Sequence, residues 1–517
     1  MDKEFIKRNT EAHGWLGLII SALLFIVFFT GSISFFRHEI EQWAVQGHYQ
    51  FEAYEPEEYL SISEVFEVAL ANRAYDPKEI QFVYPPTAEE PYYRSYILLD
   101  ESVSGDLYDF LIIDPRSGDI LGSMDDFFLA DFMYILHYSL NLPYGAYLIG
   151  FITLFFLFAI FSGVLIHAKD FIAGFFRYRP DGRKRSKLLD IHNVVGVISL
   201  PYTLMFAVTG LIFNLVIIYQ IAFAAILYQG DVDSLLEDAG IRTAVSEWQD
   251  EAWQMPPIDF LYKKQVDAWG VIPAQVRITN YGDVGATMEI YGGEEFHNYG
   301  ISYNLSDQSV NFSDLEDEPN AVSTGIGIVG ALHFGNFAGF DLRVIYFLLG
   351  IAVCVLIVTG NLLWVGQREK TMSGLKLAFV SNFTLACSAG LAVASAVAFL
   401  AERILPLGLN DRGGMMVYSF VFSLAVASVY IWFVADRRVA LLRLLQCFTG
   451  LCATIVLVDI IFFSDAIAMA ISSGNIAIIG VDFAIASIAA LVGYFCFAMS
   501  SKASSNKPIT DSSAIRA

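Results

Sequence analysis

The chain has 517 residues, of which 56% are hydrophobic and only 16% charged, and its formal net charge is −23. Soluble proteins average about 45–50% apolar and about 25% charged residues, so this composition excludes an ordinary soluble protein. The acidic balance also argues against nucleic acid as a partner, because like charges repel.

Long apolar runs recur along the chain, and each can cross a bilayer as a helix because a span needs about 20 residues. Lipid offers no partners for free backbone polar groups, so helices are expected. The runs cover 15–36, 144–166, 192–217, 341–365, 376–401, 415–435, 440–463 and 475–499. We interpret the first as a retained anchor, since no small-residue cleavage site follows it. The alternative interpretation is a set of core helices in a large soluble domain.

Basic residues orient these predicted spans. The segment 169–190 is rich in Lys and Arg, and the short connections around Arg368–Lys376 and Arg437–Arg438 are also basic. The positive-inside rule places them in the cytoplasm. Because successive spans cross the membrane in opposite directions, both termini then lie inside, and the long acidic segments 38–141 and 228–335 lie outside. We therefore expect a multi-pass protein of a bacterial inner membrane, in contact with its lipids.

The two outer segments have the pattern of small α+β modules. In the first, a helix-like EYLSISEVFEVALANRA precedes strand-like YYRSYILLD and YDFLIIDPRSGDIL, and the second repeats this theme more loosely. The fold class expected is a membrane all-α helical bundle of about eight spans with two periplasmic α+β domains. The predicted divisions are 1–37, 38–141, 142–227, 228–335, 336–368, a C-terminal four-helix bundle at 369–500 and a disordered cytoplasmic tail at 501–517.

An internal repeat links the first four spans. His13 precedes Thr30-Gly31 as His192 precedes Thr209-Gly210, with the same spacing. Likewise His137 precedes Ser162-Gly163, and His333 precedes Thr359-Gly360, with nearly equal spacing. The four spans therefore form two copies of one helix–domain–helix unit, and internal repeats in membrane proteins often frame the functional site.

The repeated histidines indicate haem ligands. A b-type haem needs an axial imidazole from each of two facing helices, and ionisable groups near the hydrocarbon tend to be functional. His13 with His192 would hold one haem near the cytoplasm, and His137 with His333 a second near the outside. Interfacial histidines that cap helices are the alternative. His167 rivals His13 for the inner site.

Three further histidines and one glycine motif lie outside the repeated pattern. His38 is a weaker rival at the outer site, whereas His48 and His297 have no partner visible in the sequence. The segment 325–330 fits G-x-G-x-x-G, but no strand–helix–strand unit surrounds it, so we interpret it as a flexible joint rather than a nucleotide site.

These residues resemble the PepSY-associated transmembrane proteins, often described as iron-regulated membrane proteins. The resemblance lies in AHGWLGL…FTGSISFFRHEIEQW, in LHYSLNLP…FSGVLIHAKDFIAGFFRYRPDGRKRSKLLDIHNVVGVISLPY and in ALHFGNFAGFDLRVIYFLLG…TGNLLW, and it covers about residues 10–370. The outer segments resemble PepSY modules, most clearly in PRSGDIL. The resemblance implies two b haems held by His13, His137, His192 and His333. In a longer subgroup His167 also belongs to the pattern, which leaves open whether His13 or His167 pairs with His192.

The function expected is electron transfer across the membrane through two haem b groups to a periplasmic ferric chelate, such as a ferric siderophore, from a cytoplasmic or quinol donor. The activity would be that of a haem-dependent ferric reductase in iron uptake, in which the redox chemistry belongs to the cofactor. The alternative is a non-redox permease or a regulatory membrane protein whose PepSY modules bind a partner.

Overall fold

A computed structural model describes residues 3–51, 54–168, 179, 182–239, 246–294, 297–313, 320–475 and 477–505. Within these residues, seven helices are long and apolar enough to span a membrane, and an eighth span forms if one bent helix pair counts as a single span. The protein is therefore a multi-pass membrane protein, as predicted. Most of the basic segment 169–190 and the last residues of the predicted tail, 506–517, lie outside the described residues.

The helices of the first half begin with α1 (Lys3–Ser34), which continues beyond a short break into α2 (Arg37–His48). The others, in chain order, are α3 (Ile62–Leu70), α4 (Glu101–Ser104), α5 (Leu129–Ser139), α6 (Gly145–His167), α7 (Lys184–Ile198), α8 (Leu200–Asn214), α9 (Val216–Leu227), α10 (Val232–Asp238), α11 (Asp259–Trp269), α12 (Ala321–Phe334) and α13 (Gly339–Arg368).

The C-terminal helices form four further spans. The first is built from α14 (Gly374–Leu385), a π-helical turn (Ala386–Gly390) and α15 (Leu391–Ile404). The remaining helices are α16 (Arg412–Phe433), α17 (Arg437–Phe462), the short α18 (Ser464–Ser473) and α19 (Ala477–Ser505).

The third span is bent. Helices α7 and α8 meet at an angle of 62° around Ser199. Pro201 stands in the first turn of α8, where it lacks the N–H that a continuous helix would donate to the preceding turn. The apolar run from 192 to 217 predicts one span, and the proline divides it into two helices.

The outer segments contribute four strands each to one continuous antiparallel sheet. The strand order is β4-β3-β2-β1-β5-β6-β7-β8. The first segment supplies β1 (Gln81–Tyr84), β2 (Tyr93–Leu98), β3 (Tyr108–Ile113) and β4 (Ile120–Ser123), and the second supplies β5 (Gln275–Thr279), β6 (Thr287–Glu294), β7 (His297–Asn304) and β8 (Val310–Ser313). Each segment forms a meander, and β1 pairs with β5 where the two meanders meet, with Val83 opposite Val276.

The two segments also share one hydrophobic core. Alternate residues of β1, β2 and β5 point into it, as expected for a sheet with one covered face. Helices α3 and α11 cover that face, and the Oγ of Ser63 at the start of α3 donates a 2.6 Å hydrogen bond to Asp259 at the start of α11. The sequence predicts two modules, and the structure joins their strands and their core.

The C-terminal helices pack against the histidine-bearing half through α2. Residues 40–47 of α2 are all buried, between α5 on one side and α18 and α19 on the other. Buried ionisable side chains gather at this contact, including Arg403, Asp459 and Arg412. The C-terminal helices therefore carry several buried charged side chains, Glu402 among them.

The shared core yields a test of the joined sheet. Val276 is fully buried beside the β1–β5 junction, whereas Val310 on the edge strand β8 is 50% exposed. We expect Val276→Asp to destabilise the sheet domain by about 4 kcal/mol or more, because it buries an unpaired charge, and Val310→Asp to have little effect. Limited proteolysis of the purified full chain measures this difference. Equal resistance of the two variants would contradict the shared core.

Candidate functional site: two histidine pairs

The structure brings His137 and His333 together. Their ring centroids are 6.3 Å apart, with 43° between the ring planes. His137 stands in the last turn of the short helix α5, which ends at the left-handed residue Leu140. His333 stands in the last turn of the short helix α12, which ends at the left-handed residue Gly335. These short helices lead directly into the spans α6 and α13, so the repeat places both rings at equivalent positions.

His13 and His192 form a second pair. Their ring centroids are 6.5 Å apart, and the ring planes are nearly perpendicular at 79°. His13 lies on α1 and His192 on α7, at the end of the bundle remote from the sheet. His167, at the end of α6, is near enough to interact electrostatically with both rings. The structure therefore pairs His13 with His192 and keeps His167 beside them.

The Nδ1 atom of every paired histidine is hydrogen-bonded to a neighbouring helix. All four contacts fall at the Ser-Gly and Thr-Gly steps of the repeat or within one turn of them. Nδ1 of His13 meets Ser162 Oγ at 2.8 Å, that of His137 meets Val27 O at 2.8 Å, that of His333 meets Thr209 Oγ1 at 2.8 Å, and that of His192 lies 3.1 Å from Leu356 O and 3.2 Å from Thr359 Oγ1.

These contacts define the tautomer of each ring. A backbone carbonyl is only an acceptor, so His137 and His192 donate from Nδ1. The hydroxyls of Ser162 and Thr209 already donate to carbonyls of their own helices, so they too accept from the imidazoles. In all four rings the proton therefore sits on Nδ1, and the lone pair of Nε2 is available to a ligand.

Glycines make room for the rings. A Cβ atom on Gly31 would lie only 2.5 Å from Nδ1 of His137, and one on Gly360 would lie 3.2 Å from Cε1 of His192. A Cβ on Gly163 would lie 3.3 Å from Cε1 of His13. On Gly210 the nearest histidine atom would be 3.9 Å away, an ordinary contact. The Ser/Thr-Gly step thus combines space for an imidazole with an acceptor for its Nδ1–H.

A cavity of about 690 Å³ adjoins the His137–His333 pair. Its apolar wall comes from α1, α6 and α8, and includes Phe28, Phe156 and Phe206. Its rim is charged and includes Arg37, His38, Glu41, Arg94 and Arg343. Cavities of about 300–1,000 Å³ with an apolar lining and a few polar groups are typical of cofactor sites.

The rim charges are arranged in pairs. Arg37 contacts Asp131, Arg343 lies 2.7 Å from Glu39, and Arg94 lies between Glu41 at 3.0 Å and Glu90 at 2.8 Å. His38 Nδ1 is 3.0 Å from Glu90 Oε1. Burial tends to lower the pKa of His38, but its interaction with Glu90 outweighs burial and raises that pKa above its ordinary value.

The other sequence candidates fall elsewhere. His38 belongs to the cavity rim rather than to the His137–His333 pair. The ring of His48 packs against Phe463 and Phe127, so it has neighbours that the sequence did not reveal. The side chain of His297 lies outside the described residues. The glycines of 325–330 lie inside α12, so the predicted flexible joint is wrong and the segment is helical.

No group of three or more His, Cys, Asp or Glu side chains suited to a metal ion occurs among the residues that the structure describes. The pairs provide two imidazoles each, which is the number of axial ligands in a haem that takes both from histidines. The arrangement can therefore suit a metal whose other ligands come from a macrocycle.

The fold and these pairs define a multi-pass membrane protein with duplicated histidine-bearing helices and an antiparallel sheet domain. The chain belongs to the family described as the PepSY-associated TM region, whose model matches residues 10–367. An uncharacterised protein of Pseudomonas aeruginosa is 24% identical over 296 residues, which cover 53% of this chain and 73% of that protein.

The pair of His38 and Glu90 predicts a pH dependence. A histidine whose pKa is raised by folding stabilises the protein below its ordinary pKa of about 6.5, and this contribution is lost as the pH rises through the raised value. The thermal midpoint of the wild type should exceed that of His38→Gln more at pH 6 than at pH 9. A difference that stays constant, or grows with pH, would contradict this ion pair.

Proposed function

We propose that the protein carries two b haems and passes electrons through them across the membrane to a ferric chelate on the sheet side. The observation that carries this proposal is the geometry of the two histidine pairs, with both Nε2 atoms of each pair available for a ligand. The family match is consistent with the proposal and names no cofactor or activity.

The ring separations suit coordination of one iron by two imidazoles. Metal–imidazole bonds are about 2 Å long, and the centre of each ring lies about 1 Å beyond its ligating nitrogen, so the ring centroids of an axial pair lie about 6 Å apart. The separations of 6.3 and 6.5 Å match this value. A haem would supply the one-electron chemistry, since its iron alternates between the ferric and ferrous states.

The contacts of Nδ1 support this role. Metal-ligating histidines almost always donate their second N–H to a carbonyl, carboxylate or water, which fixes the ring and makes the ligating nitrogen more basic. His137 and His192 donate to main-chain carbonyls, and His13 and His333 to hydroxyls. The rings are therefore held in place before any ligand binds, which lowers the entropic cost of binding.

The cavity beside His137 and His333 would receive the sheet-side macrocycle. Its volume is in the range of cofactor sites, and its phenylalanine wall excludes water from the ring. Arg37 and Arg343 on the rim can face the carboxylates of a haem, because guanidinium groups recognise carboxylates bidentately. At the other pair, a Cβ on Gly17 would meet no atom within 4 Å, so this face of α1 is open.

The direction of transfer that we propose rests on the positions of the pairs and on the orientation predicted from the basic connections. His13 and His192 lie remote from the sheet, and His137 and His333 lie beneath it. With the basic connections in the cytoplasm of a bacterial inner membrane, the electron would enter from a cytoplasmic or quinol donor and leave on the periplasmic side. There it would reduce Fe(III) to Fe(II), which hard oxygen chelators such as siderophores hold more weakly.

The test is the haem content of the purified full chain and of four single variants. We expect two haems in the wild type, with a Soret band that shifts on reduction with dithionite. His137→Ala or His333→Ala should remove one haem and leave the other, and His13→Ala or His192→Ala should remove the complementary one. Anaerobic mixing of the reduced wild type with a ferric chelate should reoxidise it and produce Fe(II).

Other outcomes would revise or contradict the proposal. If His167→Ala removes the inner haem and His13→Ala does not, the inner ligands are His167 and His192. A colourless, folded wild type would contradict haem binding and favour the non-redox permease or binding function. Four variants that all keep both haems would contradict the histidine pairs.

Two glycines at equivalent repeat positions provide a matched pair of variants. Gly31→Ala places a methyl group 2.5 Å from His137 Nδ1 and must displace the ring, whereas Gly210→Ala meets His333 at 3.9 Å. We expect Gly31→Ala to lower occupancy of the sheet-side haem at least about tenfold, since losing an outer contact of a ligand costs about 10–100-fold in affinity. Gly210→Ala should keep the occupancy of the sheet-side haem. Equal haem content in the two variants, measured by absorbance, would contradict this placement of His137.

A further inference from the structure

Four helices converge on a buried group of ionisable side chains that the histidine pairs do not use. Arg403 at the end of α15 and Asp459 on α17 are both fully buried, and Arg403 Nε lies 2.8 Å from Asp459 Oδ1. Asp482 on α19 and Trp43 on α2 complete the group. Ionisable residues at membrane depth are costly and mark functional positions, so this group requires an explanation.

The two aspartates lie against each other. The indole N–H of Trp43 is shared between them, at 2.8 Å from Asp459 Oδ2 and 3.1 Å from Asp482 Oδ1. The side chains of Asp482 and Asp459 are also within hydrogen-bonding reach of one another. Ionised carboxylates are only acceptors, so a hydrogen bond between them requires one to carry a proton.

Charge balance leads to the same conclusion. Arg403 is the cation next to the aspartates, and its guanidinium lies 3.6 Å from the centre of the Trp43 ring. The neighbouring pair, Glu402 and Arg412, is neutral in sum and buried. With both aspartates ionised the group would carry one excess negative charge, which is expensive in a buried site. One proton held by the aspartates removes it.

Asp459 has a buried oxygen atom that can accept such a proton. Asp459 Oδ1 is buried and, within the described part of the chain, receives no hydrogen bond of good geometry despite its closeness to Arg403. His48 on α2 also faces this group, since Arg403 and Arg412 both act on it electrostatically, and its buried Nε2 has no hydrogen-bond partner among the described residues. Burial, and after it the guanidinium groups of Arg412 and Arg403, lower the pKa of His48 to about 4, so the aspartates are the better proton acceptors.

A small cavity lies one helix turn from this site. A cavity of about 130 Å³ lies on the sheet side between α2, α18 and α19, and its lining includes Gln46, Asn475 and Ile478. Gln46 is three residues after Trp43 on α2, and Ile478 is four residues before Asp482 on α19, so each is one turn from the group and on the same helix face. Asp482 is only partly buried, whereas Asp459 is inaccessible.

We propose that Asp459 and Asp482 form a proton-binding site of the C-terminal helices, which holds one proton between the two carboxyl groups and exchanges it with water on the sheet side. Arg403 balances the remaining charge, and the Trp43 N–H holds the two oxygens together. This gives the C-terminal helices a function that is independent of haem binding.

Infrared spectroscopy of the purified full chain tests this site. A protonated carboxyl group has a C=O stretch that an ionised one lacks, and we expect this band at neutral pH, with a shift on transfer to D2O. Asp482→Asn should remove it, because an amide replaces the protonated acid with little change of shape. Asp465→Asn is the control, since Asp465 is exposed on α18. It should keep the band.

A second variant distinguishes a shared proton from an isolated neutral aspartic acid. In Asp459→Asn, Asp482 becomes the remaining counter-ion of Arg403, so it should ionise and the band should disappear. Persistence of the band in Asp459→Asn would overturn sharing, and persistence in Asp482→Asn would overturn the site. A band that does not shift in D2O would overturn exchange with water.

Discussion

The hydrogen bond from each histidine Nδ1 to a neighbouring helix is the constraint on which the site depends. It positions the ring, leaves Nε2 available to a ligand, and links two neighbouring helices. Its requirements explain the dipeptides Ser162-Gly163 and Thr359-Gly360, in which a hydroxyl lies within hydrogen-bonding distance of Nδ1 and the glycine leaves room for the ring. His13 against Ser162 and His333 against Thr209 show the arrangement most directly, at opposite ends of the bundle. Loss of one acceptor would free a ring to rotate and would leave a buried donor without a partner.

The sheet joins the two repeat units at one end of the helix bundle. Because β1 of the first unit pairs with β5 of the second, the helices α5 and α12 follow the strands of one continuous sheet along the chain. Their last turns carry His137 and His333, so the joined sheet and the histidine pair constrain each other. Helix α2 extends this connection to the C-terminal helices, since Glu41 faces the cavity rim and Trp43 contacts Asp459.

Much of this arrangement could be predicted from the sequence, and the remainder depends on contacts without a local pattern. Apolar runs predicted the spans because lipid imposes length and composition. Equal spacings in the repeat predicted which histidines would meet, and the structure places His13 near His192 and His137 near His333. The pairing of β1 with β5 could not be predicted, since it joins strands almost two hundred residues apart. The glycines of 325–330 suggested a joint, but α12 begins at Ala321 with Asn320 as its N-cap, and helix packing outweighs their flexibility. Asp459 and Asp482 stand in the sequence as single acidic residues within apolar runs. Because a charge inside a membrane is costly, such residues indicate functional positions.

Electron paramagnetic resonance of the oxidised, purified full chain would detect haem iron bound by the two histidine pairs. Two imidazoles bound to ferric haem give a low-spin iron, and the angle between their planes governs the anisotropy of its signal. The structure has ring planes at 79° for His13 with His192 and at 43° for His137 with His333. We expect two distinct low-spin ferric signals. The more anisotropic signal should be lost in His13→Ala, and the other signal should be lost in His333→Ala. A haem signal that is high-spin only, or a folded protein without a haem signal, would contradict this expectation.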